Sequence, residues 1–327
     1  MLTRAASIAK RKAVIAVILP CYRVKDRVLP VLKAIGPEVN RIYVVDDCCP
    51  EGTGAWVKEQ FKDPRLTVLF NPENLGVGGA TLRGFQQAKE DGAEIVVKLD
   101  GDGQMDPKAI PRLIRPILDR RCDYAKGNRF FSPRHLKGMP RVRIFGNAVL
   151  SFLSKISSGY WRAMDPTNGF LALHTRILDV LPLSKIEKRF FFESDLLFRL
   201  NTVRAVVLDV PIAAIYGDEK SNLRVRREAF SFSLKHGLRV FKRIGYSYFI
   251  RDFNLASVEL IVGLAFLFAG VTHGAWNWHY YSTRGELAPT GTVMLGALCV
   301  ILGGQLLLSA ISFDILNEPS EPIHPLL

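Results

Sequence analysis

Cysteine is scarce in this 327-residue chain: there are five, with no metal-binding spacing. Cys48 and Cys49 are adjacent, while Cys21, Cys122 and Cys299 stand alone. That leaves neither a disulfide framework nor a zinc site, and it suits a reducing compartment for the soluble part. A secretory signal is missing too. Arg4, Lys10, Arg11 and Lys12 precede an apolar run at 13–19, but Pro20 ends the run before a signal core and cleavage site are complete. The run reads as a buried strand. No internal repeat or low-complexity tract is present. Acidic residues are in deficit, 31 against 44 Lys and Arg, for a net charge of +13. Such an excess points to an anionic partner: nucleic acid, a phosphorylated substrate or an acidic lipid surface. No nucleic-acid module is recognisable, so no nucleic-acid partner is expected.

What is present suffices for a full core, since 48% of the residues are hydrophobic. At roughly 150 residues per domain the length allows about two units. Charge nearly vanishes toward the carboxyl end. Only Glu259 is charged in 255–272, and nothing is charged in 287–313. Each stretch reaches the ~18 apolar residues expected of a membrane span, and ~20 helical residues cross a ~30 Å hydrocarbon core. Trp276, Trp278, Tyr280 and Tyr281 lie between them, the aromatic enrichment expected at headgroup level. From Lys220 to Arg251 there are nine Lys and Arg and one acid, Glu228, whereas Arg284 is the one basic residue between the spans. That skew places the amino-terminal region in the cytoplasm, and two spans return the tail to the same side. In the basic block Phe230, Leu234, Leu238, Phe241 and Tyr248 recur at helical spacing, with Lys235, Arg239, Lys242 and Arg243 on other faces. The pattern suits an amphipathic helix on an anionic membrane surface, or a helix packed on the soluble domain with a solvated basic face.

The region before this block alternates two kinds of segment. Strands are expected at 13–19, 41–46, 66–70 and 94–99, and helices at 28–35, 54–60, 79–90 and 107–118. The alternation implies an α/β, Rossmann-like, mostly parallel sheet that binds ligands at the carboxyl ends of its strands. Two strand ends are acidic. One closes on Asp46-Asp47 and another on Asp100-Gly101-Asp102-Gly103-Gln104. Two carboxylates one residue apart, joined by the Gln104 amide oxygen, can converge on a hard divalent cation that completes its shell with substrate phosphates. Residues 74–80 form a glycine-rich turn opening a helix. It lacks the Gly-Lys-Ser/Thr ending of a P-loop and the dinucleotide GxGxxG order. Its glycines either present N–H groups to a phosphate or allow close helix–sheet packing.

In order along the chain stand Val17-Ile18-Leu19-Pro20-Cys21-Tyr22, Val44-Val45-Asp46-Asp47 with Glu51-Gly52-Thr53, Asn74-x-Gly76, Asp100-Gly101-Asp102-Gly103-Gln104 and Gly127-Asn128-Arg129. This series resembles the family 2 glycosyltransferases of the GT-A fold. Asp165-Pro166-Thr167-Asn168-Gly169-Phe170 and residues 192–199 narrow the resemblance to the dolichol-phosphate mannose synthase-like, polyprenyl-phosphate branch. The resemblance implies a GT-A catalytic domain at 1–222, a basic juxtamembrane helical segment at 223–252 and two transmembrane helices with a short tail at 253–327. It implies inverting transfer of a sugar from a GDP- or UDP-linked donor to undecaprenyl or dolichyl phosphate, with Mg²⁺ or Mn²⁺ as cofactor, in an integral membrane protein of the cell membrane. Pro20, Tyr22, Asp46, Asp47, Asp100 and Asp102 would bind the nucleotide sugar, and Asp100, Asp102 and Gln104 the metal. Arg129, Arg141, Arg143 and Lys220 would gather the acceptor phosphate, with Asp102, Asp195 and Arg129 as the catalytic group and Glu193 close to Asp195. The pattern departs at Arg23-Val24, where Asn-Glu is common, at Cys48-Cys49, where Gly-Ser is usual, and at Ala214, often basic. These departures leave the base and sugar unassigned. A homo-oligomer is possible.

A phosphate monoester with a second pKa of about 6 is largely dianionic at pH 7 and needs no strong base, unlike a sugar hydroxyl. Asp195 would then orient Arg129 or a metal shell, or simply pair with Arg199. A sugar nucleotidyltransferase would need a GxGxRxxP-type loop, and a processive polysaccharide synthase a Gln-x-x-Arg-Trp segment; the sequence has neither. Transfer to a hydroxyl of a lipid-linked glycan stays open. A catalytically silent membrane scaffold is disfavoured by the intact Asp100, Asp102 and Gln104.

Overall fold

The computed structural model describes residues 13–131, 141–212 and 225–327, with side chains except at 141–143 and 225–230. Arg141 and Arg143 are therefore described in backbone only, and Ala214 and Lys220 lie outside the described residues. The chain divides into two compact units, residues 1–236 with 319–327, and 237–318.

The first unit is built on a seven-stranded sheet of order β3-β2-β1-β4-β6-β5-β7. β1 (Ile15–Cys21), β2 (Arg41–Asp46), β3 (Leu66–Phe70) and β4 (Ile95–Lys98) are parallel. β1, β2 and β4 are runs of Val, Ile and Leu buried on both faces, as a sheet covered by helices on both sides requires. The covering helices are α1 (Lys25–Lys33), α2 (Thr53–Gln60), α3 (Gly76–Glu90) and α4 (Ile110–Leu118). In α4 the buried residues are Ile110, Leu113, Ile114 and Ile117, the spacing of one helical face. Ile15, Val17, Leu19, Val44 and Val97 pack on one side of the sheet with residues of α1, α2 and α4, and Ala16, Ile18, Tyr43, Val45 and Val96 on the other with Leu82 and Phe85 of α3.

Three further strands complete the sheet: β5 (Tyr124–Asn128), β6 (Leu171–His174) and β7 (Val207–Pro211). β6 runs antiparallel between β4 and β5, with Leu171 opposite both Lys98 and Lys126. The loop entering β6 therefore starts at the carboxyl edge of β4. Helices α5 (Arg141–Ser158), α6 (Ile177–Val180) and α7 (Phe192–Thr202) belong to this half, and Leu196, Leu197 and Leu200 of α7 join the core that holds Phe85. The order reverses at β1, which lies between β2 and β4. A crevice for ligands opens at such a switch point.

Helix α8 (Val225–Ile244) passes from the first unit into the second and continues as a π-helical turn, Gly245–Arg251. On it Leu234, Leu238 and Phe241 are exposed, whereas His236, Arg239, Arg243 and Tyr248 are buried. Tyr248 thus leaves the apolar stripe expected from spacing, and two of the arginines expected in water turn inward. His236 Nδ1 is 2.7 Å from the Ser157 hydroxyl, and Arg243 pairs bidentately with Asp314 at 2.6 and 3.0 Å, beside a 2.5 Å bond from the Tyr248 hydroxyl. The second unit contains α9 (Leu255–Arg284) and α10 (Thr290–Leu316), each long and apolar enough to cross a membrane, with mean hydropathy 2.1. Asn254 and Ser257 form a capping box at the start of α9. A Cβ on Gly303 would lie 2.7 Å from Leu267 N, and one on Gly270 2.9 Å from Val300 N, so close helix–helix approach requires these small residues.

Candidate active site

The carboxyl ends of β1, β2 and β4 bring most of the expected donor-side residues to one edge of the sheet, around the switch point. Pro20 is half-buried and Tyr22 is exposed at the end of β1. Asp46 and Asp47 are buried, and both carboxylates are committed to backbone N–H groups. Asp46 accepts from Cys49 N at 2.7 Å and Gly54 N at 2.6 Å. Asp47 accepts from Leu75 N and Gly76 N at 2.9 and 2.8 Å and from the Asn71 amide at 2.6 Å. The two aspartates thereby shape the loops after β2 and before α3. Cys49 Sγ accepts from Arg23 N and contacts the Thr53 hydroxyl. Burial opposes ionisation, yet these hydrogen bonds hold the Cys49 thiol below its ordinary pKa.

The glycine-rich turn is a packing device. The N–H groups of Leu75 and Gly76 are taken by Asp47, and that of Gly79 donates to Lys188 O at 3.0 Å. Gly76 has φ of +82°, and a Cβ on Gly78 would lie 2.7 Å from Phe192 Cβ. The close neighbours of Gly76 and Gly78 are residues 187–192, the chain leading into α7, and not the sheet that helix–sheet packing would have required.

Asp100 and Asp102 follow β4 on a turn completed by Gly103 at φ +81°. Asp102 is half-buried and accepts Gln104 N at 3.0 Å. Burial is the leading cause that raises its carboxyl pKa, and neighbouring Asp100 adds to the rise. Two carboxylates and the Gln104 amide oxygen are hard donors suited to Mg²⁺ or Mn²⁺, and they leave coordination positions for a diphosphate. Among the described residues no group of three or more His, Cys, Asp or Glu forms a metal cluster; this turn offers two carboxylates and one amide oxygen.

Behind the turn is a buried ion pair that sequence reasoning passed over. The Lys98 side chain is 1% exposed, with Nζ 2.7 Å from Asp100 Oδ1 and 3.2 Å from Glu193 Oε1. Burial works against its charge, but Asp100 and Glu193 more than offset this and raise its pKa. A lysine inside an apolar strand was the available signal, because a buried ammonium demands carboxylates. Lys126 on β5 repeats the pattern 3.2 Å from Asp209.

The acceptor-side residues pair differently from expectation. Arg129 Nε and Nη2 each lie 2.7 Å from the buried Asp165 carboxylate, a bidentate pair. Asp195, fully buried in the first turn of α7, accepts from Arg199 Nε and Glu187 N, both at 2.9 Å. Thus Arg129 pairs with Asp165, and Asp195 pairs with Arg199. The Asn168-Gly169-Phe170 motif frames the same place: Asn168 donates to Gly127 O at 2.8 Å, and Gly169 abuts Lys98 and Asp100.

Residues 16–181 match the model of glycosyl transferase family 2. The chain is 29% identical over 242 residues to the UDP-N-acetylglucosamine–dolichyl-phosphate N-acetylglucosaminyltransferase of Methanococcus voltae, covering 70% of this chain and 96% of that protein. It is 31% identical over 176 residues to the undecaprenyl-phosphate mannosyltransferase of Micrococcus luteus, covering 53% and 71%. Glucosyl-3-phosphoglycerate synthase of Mycobacterium tuberculosis, solved with Mn²⁺, UDP and phosphoglyceric acid, superposes with a TM-score of 0.52 at 17% identity over 71% of this chain and 79% of that one, a likeness of fold. With seven strands in this order, the acidic turn after β4 and the family match across half its length, the chain belongs to glycosyltransferase family 2 and is a glycosyltransferase of the GT-A fold.

Proposed function

We propose that this glycosyltransferase transfers a sugar, with inversion, from a GDP- or UDP-linked donor to a polyprenyl phosphate at the cytoplasmic membrane surface. The observation that carries the reading is the cation-fitting Asp100–Asp102–Gln104 turn in a chain that also contains two apolar helices. The names of the relatives from Methanococcus voltae and Micrococcus luteus support the acceptor class. Pro20 and Tyr22 would border the nucleoside, while Asp46 and Asp47 would act by shaping its loops. Asp100, Asp102 and Gln104 would hold Mg²⁺ or Mn²⁺. When bound, the cation supplies charge compensation for the diphosphate leaving group. An acceptor phosphate oxygen bonds the anomeric carbon as its bond to the diphosphate breaks, and the nucleoside diphosphate departs with that electron pair. Arg129, held by Asp165, would gather the acceptor phosphate with Arg141, Arg143 and Lys220. Asp195 would fix the start of α7 through Arg199.

The proposed organisation is a catalytic domain at 1–222, a juxtamembrane segment at 223–252 and a two-span region at 253–327. Two physical features support work at membrane level. On α5, Phe145, Val149 and Phe152 are 72%, 43% and 57% exposed at positions i, i+4 and i+7, and the helix has no acidic residue; such a face suits an interfacial helix. Residues 319–327 group with the catalytic unit, as a hairpin of two spans allows. Purified full-length enzyme, undecaprenyl or dolichyl phosphate and a panel of labelled sugar nucleotides test the reading by the mass of the lipid product. A polyprenyl monophosphate sugar is expected. An inert lipid monophosphate across the panel, with transfer to a lipid-linked glycan, assigns the enzyme to hydroxyl acceptors instead.

A further inference from the structure

We propose that Lys98 is a positioning residue for the cation site: its ammonium holds the Asp100 carboxylate in place and ties it to Glu193 at the start of α7. The inference rests on the assignment of Asp100 and Asp102 to a divalent cation and goes beyond it to a residue that touches no substrate.

Three contacts and one close approach define the position. Lys98 Nζ is 2.7 Å from Asp100 Oδ1, 3.2 Å from Glu193 Oε1 and 3.4 Å from Gly169 O. On the remaining side a Cβ at Gly169 would lie 2.3 Å from Nζ and 2.7 Å from Asp100 Oδ2. The ammonium and the carboxylate are thus seated together against bare backbone, and only glycine leaves them room. Lys98 spends its donors on two carboxylates and a carbonyl. Asp100 keeps acceptor capacity, because each carboxylate oxygen has two lone pairs. A second carboxylate, Asp102, lies two residues on, and Glu193 is buried. Three acids gathered here repel one another, and a buried cation touching two of them reduces that repulsion. The charge-assisted bond also removes rotational freedom from Asp100 before any ion arrives, so less ordering is left for binding. Because Glu193 is on α7, the same ammonium makes the turn after β4 and the start of α7 one hydrogen-bonded assembly.

The test is Mn²⁺ affinity of the full chain in detergent, read by the electron paramagnetic resonance signal of free Mn²⁺ during titration with UDP and, separately, with GDP. Lys98→Met alone strands the buried Glu193 and the half-buried Asp100 and can fail to fold, so the informative variant is Lys98→Met/Glu193→Gln, which removes both charges at similar volume. Its unfolding midpoint without metal checks folding. Residues that support metal ligands typically change affinity by roughly 10–100-fold, and a loss of about 10-fold or more is expected in the double variant. Glu193→Gln, which leaves Lys98 on Asp100, should lose less affinity than the double variant. Wild-type affinity in the double variant overturns the positioning role while the cation assignment stands. A wild-type protein that binds no Mn²⁺ with either nucleotide overturns the cation assignment and this proposal together.

Discussion

His324 Nδ1 lies 2.8 Å from Asp123 Oδ1, across 201 positions of sequence. The same carboxylate accepts from the backbone N–H groups of Val206, Ile323 and His324 at 2.7, 3.1 and 2.8 Å. Asp123 is wholly buried at the start of β5. One acid therefore joins β5, the approach to β7 and the carboxyl-terminal segment.

Asp123→Ala should destabilise the catalytic unit by about 3 kcal/mol or more, because it leaves buried donors without their acceptor. Urea unfolding of the full chain in detergent measures it. An unchanged midpoint would show that the segment contributes nothing to stability.

Acid should weaken the same region in two stages. His174 stacks on His324 with ring centroids 4.3 Å apart. Burial first, then His324 and Arg176, depress its pKa to about 4, against a smaller opposing pull from Asp123. An unfolded histidine titrates near ~6.5, so between about 6.5 and 4 the unfolded state binds more protons and stability drops as the pH is lowered. Burial tends to raise the Asp123 carboxyl, but His324 and the backbone N–H donors depress it overall. Its contribution is present above the unfolded value of ~3.9 and is lost as pH falls through the lower folded value. His174→Gln should flatten the pH 6.5-to-4 limb of the urea midpoint while the steeper acid limb stays.

Chelation with EDTA should abolish sugar transfer, and Mg²⁺ or Mn²⁺ should restore it. Asp102→Ala should lower turnover roughly 100-fold or more, the scale of losing a main electrostatic contact to the reacting groups, with an unchanged circular dichroism spectrum. Full activity in EDTA removes the cation from the reaction.

The basic block predicts the side of the membrane. In Ser282→Cys, the new thiol near the end of α9 should react with a membrane-impermeant maleimide added outside intact cells and stay unreactive to reagent confined to the cytoplasmic face of inverted vesicles. The opposite labelling pattern inverts the topology.

Much of this architecture was legible in local pattern. β1 to β4 and α1 to α4 follow from apolar runs and helical spacing, because each is buried on faces that periodicity reveals. The starts of α1 and α3 were placed three residues late, since Lys25, Asp26 and Arg27 add no apolar residue to the periodic pattern and the glycines from Gly76 on are poor helix formers. β5, β6 and β7 went unread. β6 has four residues, and β5 contains Lys126, Gly127 and Asn128, whose place in a strand depends on partners distant in sequence. α8 shows the same limit: spacing locates its apolar stripe, yet Arg239 and Arg243 turn inward where tertiary contacts, such as Asp314 for Arg243, await them.

The family, the α/β alternation, the acidic turn at Asp100 and Asp102 and the two apolar helices are all legible without coordinates, because each is written in contiguous residues. Which charges meet depends on how distant segments pack. Asp165 takes Arg129, Arg199 takes Asp195, and Lys98 is shared by Asp100 and Glu193. A buried charge needs a partner within a few ångströms. The antiparallel entry of β6 and the packing of α7 on the sheet, neither of which follows from local pattern, bring those partners within reach.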